Sequence, residues 1–173
     1  MAKTSGGVRS LGTRERAKEN RRIEFANELS SGNYDVLKSF FDEKSGGYYL
    51  TEKSPQKHKP EEYEVAKFLA KSGYKVILID EASSTLKIDG KIFKISYEQH
   101  TPEGSTYQNM NKALEHAKKK NADIAVVYMK YNKHTRESVE SGVIEYERLN
   151  NYRFNRILIV TKDGKIHIHK HNK

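Results

Sequence analysis

No cysteine occurs in the 173 residues of this chain, which excludes disulfides and every zinc site built on thiolates. No apolar run approaches the roughly 20 residues that a membrane-spanning helix needs, so no membrane insertion is expected. The first residues, MAKTSGGVRSLGTRERAKENRR, are charged and lack the apolar stretch of a secretory signal. These absences point to a soluble protein acting in the cytoplasm. Apolar residues are also scarce, at 35%, so the core is modest and the first third is poorly suited to building one. Positive charge, in contrast, is abundant. Lys and Arg total 32 against 23 acidic residues, a net charge of +9. That balance favours polyanionic partners, nucleic acid first and an anionic membrane surface second.

Two portions are expected. Residues 1–57 read as a basic, partly disordered and partly helical extension, with a helix from Thr13 to about Leu29 and a second short helix over Asp35 to Phe41. A small strand, Tyr48 to Thr51, follows, and KSPQKHKP ends the portion. Residues 58–173 are more regular. Pro60 suits the first turn of a helix, with Glu61, Glu62 and Glu64 at its positive end and Ser72-Gly73 as the stop. Lys75 to Asp80 reads as a strand buried on both faces. Ser105 and Gln108 fit a capping box, after which Met110, Ala113, Leu114 and Ala117 continue a helix at i, i+3, i+4, i+7. Asp123 to Met129 is a further buried strand reached by a parallel crossover, Arg136 to Asn150 a helix, and Arg156 to His171 a hairpin about Asp163-Gly164. The order from residue 60 is α β β β α β α β β, an α/β fold with a mixed sheet flanked by helices.

The stretch with most chemistry is STLKIDGKIFKISYEQH, Ser84 to His100. Asp89-Gly90 is a two-residue turn signal between β-type runs. Beyond it Phe93, Ile95 and Tyr97 alternate with Lys94, Ser96 and Glu98, and His100 follows. One face of this strand is then apolar, and the other carries an amine, a hydroxyl and a carboxylate.

Residues from about 58 to 171 resemble the C-terminal toxin nuclease domains of contact-dependent inhibition proteins, the tRNase type, and related domains of phage and mobile-element proteins. The phrases that carry this are EEYEVAKFLAKSGYKVILID, IDGKIF with the polar strand after it, NKALEHAKKKNADIAVVYM and DGKIHIH. The resemblance implies a core like that of the PD-(D/E)xK nucleases. It also implies Pro-Asp shortly before IDG and an acidic-x-Lys triplet after the Phe, two carboxylates for a divalent metal and a lysine to steer water. Here those positions read Ser84-Thr85 and Lys94-Ile95-Ser96. The motif is degenerate on this register, Asp89 is absorbed by turn chemistry, and no metal or cofactor is expected.

Three readings stand at this point. RNA supplies its own 2′-hydroxyl nucleophile, so a ribonuclease can work without metal. Lys94 would clamp the phosphate, Glu98 and His100 would exchange protons, and Ser96, Thr101 and Tyr107 would donate hydrogen bonds, with Glu64 orienting one of them. Gln108, His134 and Arg136 are further substrate-binding candidates, the last two because a strand end in an α/β sheet borders the ligand crevice. The second reading is an inactive nuclease-like domain that binds nucleic acid or a protein. The third is an ordinary solvated strand. For the resemblance, RNA or tRNA is the partner, a cognate immunity protein neutralises the active toxin, and the domain is delivered as part of a larger protein. The tail IHIHKH reads as a polar edge strand rather than a zinc site.

Overall fold

The computed structural model describes residues 5–55, 57–82, 87–103, 107–131 and 135–169. Eight strands form one mixed sheet in sequential order: β1 Phe40–Phe41, β2 Tyr48–Thr51, β3 Lys75–Leu78, β4 Gly90–Ile92, β5 Ile95–His100, β6 Ile124–Met129, β7 Arg156–Thr161 and β8 Ile166–His169. Pairings β2–β3, β5–β6 and β6–β7 are parallel and the others antiparallel. It follows that β2, β3, β5, β6 and β7 all run one way, and their carboxyl ends share one rim.

Helix α2, Pro60–Lys71, covers one face. Its Val65, Ala66 and Leu69 pack on Val76, Leu78, Tyr97, Val126 and Leu158. On the other face Met110, Leu114 and Ala117 of α3 (Tyr107–Lys119) join Val139, Val143 and Tyr146 of α4 (Arg136–Asn150) over Ala125, Val127, Ile157 and Ile159. All six residues of β6 are therefore buried, as its continuous apolar run requires. The expected element order from residue 60 is the observed one, and β8 lies at the sheet edge.

Three local expectations are corrected. Asp35 to Phe41 is not a helix. The Asp35 carboxylate accepts the Leu37 N–H at 3.0 Å and closes a single 3-10 turn, Val36–Lys38, after which Phe40 and Phe41 pair with Tyr49 and Tyr48. β3 is buried on one face only: Val76 and Leu78 lie under α2, while Lys75 and Ile77 are partly exposed, because α3 and α4 cover the sheet further along. The hairpin turn lies at Phe93-Lys94, both with positive φ (47° and 71°), as a type I′ turn demands. Gly90 begins β4 instead. A Cβ there would sit 2.4 Å from the Ile77 carbonyl oxygen and 2.6 Å from the Tyr97 ring, so this glycine serves close packing.

The N-terminal segment adds to the same sheet. Pairing of β2 with β3 over its full length carries the sheet across residue 57. Helix α1, Ser5–Ser30, docks through Phe25 against Phe41 and Tyr48, through the Lys75–Glu24 ion pair at 2.7 Å, and through Arg21, which donates to the Gly73 carbonyl and stacks over Phe93. These contacts lie at the amino end of β3 and the β4–β5 turn. Among the described residues no helix is long and apolar enough to cross a membrane.

Candidate active site

In α/β sheets ligands bind outside the carboxyl ends of the strands, and a cleft of about 630 Å³ opens on that rim here. Its floor comes from three elements. Gly90 pairs with Tyr97, so Asp89, one residue before β4, lies beside Glu98 of β5. The amino end of α2 brings Glu62, and the segment after β3 brings Glu81. Asp89 and Glu98 are 7% and 3% exposed, a rare state for carboxyl groups without partners.

Asp89 Oδ2 accepts the Gln99 N–H at 2.8 Å, and the Asp89 carbonyl accepts the Ile79 N–H. The Asp89 and Glu98 carboxyls bring oxygens within 4.8 Å of each other. Burial, and then the charge and hydrogen bond of Asp89, push Glu98 up to about 9. Burial likewise raises Asp89. The pair therefore holds a proton near neutrality, because two desolvated like charges resist joint ionisation.

Cations frame this floor. Lys120, just beyond α3, sits 3.4 Å from Glu98 Oε2 and 3.4 Å from Glu81 Oε2. His116 Nε2 lies 3.8 Å from Glu98 Oε1. On the far side His58 Nδ1 is 3.2 Å from Glu62 Oε1. Its hydrogen bond to Glu62 raises His58 above the ordinary range against the cost of burial. Glu62 is held below its ordinary value by His58, Asp89 and the Lys59 N–H, despite burial. His100, at the end of β5, is lowered by burial and by the neighbouring His116 and Lys59.

The donor set suits a hard divalent cation. Glu81, Asp89 and Glu98 each offer a carboxylate oxygen within 4.8 Å of the others, and oxygen ligands are what such ions take. Glu98 Oε2, though buried, makes no hydrogen bond; the Lys120 ammonium is its counter-charge.

Of the residues singled out in the sequence, Glu98, His100 and Thr101 meet in this cleft. Lys94 does not. It is exposed in the β4–β5 turn, at the opposite end of β5. Ser96 is four residues before His100, roughly 13 Å along a strand, and its hydroxyl accepts the Asp123 N–H at 3.0 Å. Glu64 accepts from Tyr128 Oη at 2.9 Å and pairs with Lys130 at 3.2 Å, which ties α2 to β6 outside the cleft. Arg136 is exposed and pairs with Glu140 on its own helix. The side chains of Tyr107 and Gln108, together with His134, Ser84 and Thr85, lie outside the described residues.

Asp89, Glu62, Glu81 and His58 are among the cleft residues the sequence reading left out of the site. With the turn at Phe93-Lys94, Glu98 and His100 lie toward the other end of β5, and Asp89 lies across from Glu98.

No protein-family model and no curated protein matches the chain. Among solved structures, the fold is similar to one chain of the CdiA-CT/CdiI toxin and immunity complex from Burkholderia pseudomallei, at 18% identity and a TM-score of 0.53. The match covers 69% of this chain and 98% of that one. The mixed α/β fold is thus the one expected from the resemblance to toxin domains of contact-dependent inhibition proteins.

Proposed function

We propose that this chain is a nuclease toxin domain that cleaves RNA, tRNA in particular, at the carboxyl-end cleft, with a divalent cation held by Asp89, Glu98 and Glu81. The observation that carries the reading is the buried Asp89–Glu98 carboxyl pair at the centre of a cation-lined cleft. Bound there, such a cation would activate water and offset charge on the phosphoryl group. Lys120 adds a fixed positive charge beside the same oxygens, suited to an anionic transition state. His100, held below its ordinary range, keeps a ring nitrogen able to accept a proton. Glu62, anchored by His58 and by the Lys59 N–H, orients Asp89. The likeness to a chain of a toxin and immunity complex supports the toxin role, delivery within a larger protein and a neutralising partner.

A second reading is favoured by the same groups in their cation-free state. Glu98, protonated near neutrality, and His100, largely neutral, form an acid and a base for metal-free cleavage through the 2′-hydroxyl. Incubating the purified protein with total tRNA, in magnesium or in EDTA, separates the readings on a denaturing gel. Cleavage only with magnesium is the expected result. Products ending in 2′,3′-cyclic phosphate in EDTA would establish the second reading. Intact tRNA under both conditions would overturn both.

A further inference from the structure

Along α3, Lys112 and His116 are separated by four residues, and Lys120 follows after four more. That spacing repeats about every 6 Å on one face of a helix, and all three side chains line the cleft. The row ends at the carboxyl pair, where Lys120 stands 3.4 Å from Glu98 Oε2. Cations in the last turn of a helix are ordinarily explained by its negative terminus, and Lys118 is further engaged over the Tyr152 ring at 5.3 Å. Lys112 has no such explanation. It lies nearly two turns inside the helix, is exposed, and has no carboxylate within ion-pair distance among the described residues. Lys57 and Lys59 line the same cleft, equally without an ion-pair partner among the described residues. Of the acids on the rim, Glu61 is neutralised by Lys130 at 3.1 Å, Glu81 is paired with Lys120 at 3.4 Å, and Glu103 acts on His100.

We propose that this row is a track for the substrate's sugar–phosphate backbone: successive phosphates on one side of the scissile bond lie on Lys112 and His116, and the scissile phosphate lies at Lys120. The proposal rests on the nuclease reading and deepens it, since it fixes the direction from which the strand reaches the carboxylates. It assigns Lys112 a positioning role remote from the reacting atoms.

Lys119 provides an internal control. It is on the same helix, carries the same charge and is exposed, but does not line the cleft. Binding of a fluorescently labelled single-stranded oligoribonucleotide is measured as a function of salt in a Glu98→Gln background, with Lys112→Gln or Lys119→Gln added. For single strands the slope of log affinity against log salt is about 0.7 per phosphate contact. Lys112→Gln is expected to lower the slope by about that amount and to weaken binding several-fold, while Lys119→Gln leaves both unchanged. Equal effects of the two substitutions, or none from Lys112→Gln, would overturn the track and leave the nuclease reading standing. No binding by the Glu98→Gln parent, together with intact tRNA in the cleavage assay, would overturn the nuclease reading itself.

Discussion

Asp89 and Glu98 lie side by side one step beyond the Gly90–Tyr97 register pair, buried together with carboxylate oxygens within 4.8 Å of each other. A pair of this kind is costly to ionise unless a cation joins it. Glu98→Gln keeps the shape and removes the charge. It is expected to lower cleavage by roughly 100-fold or more while the melting temperature holds or rises. Millimolar magnesium or manganese should raise the melting temperature of the parent by mass action and fail to raise that of Glu98→Gln. A thermal melt with and without the ion checks this independently of activity.

His58 and Glu62 form a second, partly buried pair, with side chains 8% and 12% exposed. His58 is raised above its ordinary value of 6.5 by the hydrogen bond to Glu62. Because the folded protein holds this proton more tightly, the stabilisation is fully present below 6.5 and is lost as pH rises through the raised value. His58→Gln is expected to cost about 1–3 kcal/mol in mildly acidic solution. The difference from the parent should shrink at alkaline pH. Urea melts of the two proteins across that range give the measurement.

The element order was legible because hydrophobic period and punctuation agree over most of the chain: Pro60 and Gly73 bracket α2, and DIAVVYM can only be a strand covered on both faces. The site was half legible. Glu98 and His100 were found from alternation along one strand, and Thr101 as a hydrogen-bond donor next to it. Asp89 was missed because Asp-Gly is a turn signal locally, and only the close approach of Ile77 and Tyr97 explains why glycine is needed there. The real turn, Phe93-Lys94, has no favoured residue in it; the flanking pairing imposes positive φ on both. Glu62, Glu81 and Lys120 come from three other elements, and no local pattern in one sequence brings them together.

Gly90 is the tightest of these constraints. An added methyl group would meet backbone oxygen at 2.4 Å, which cannot yield as a flexible side chain would. Gly90→Ala is expected to destabilise the fold by about 1–3 kcal/mol through overpacking. It should also displace Asp89 from Glu98, since the two residues are joined by the β4–β5 register. A loss of activity larger than the loss of folded protein, seen by comparing cleavage rate with circular dichroism at one temperature, is the signature.

Lys94 separates the sequence reading from the structural one. As a phosphate clamp it would be indispensable, and its loss would abolish cleavage. In the structure it is an exposed turn residue with φ of 71°, a conformation that suits glycine and strains lysine. Lys94→Gly should therefore relieve about 0.5–1 kcal/mol of backbone strain, offset in part by the greater freedom glycine gives the unfolded chain. Cleavage should stay within about twofold of the parent, because roughly 20 Å of extended chain separates Lys94 from His100. Lys120→Gln, by contrast, removes the ammonium beside Glu98 and should cost at least about tenfold in rate. A kinetic comparison of the two variants decides which lysine serves the site. Full activity in Lys120→Gln with loss in Lys94→Gly would move the chemistry to the other end of the sheet.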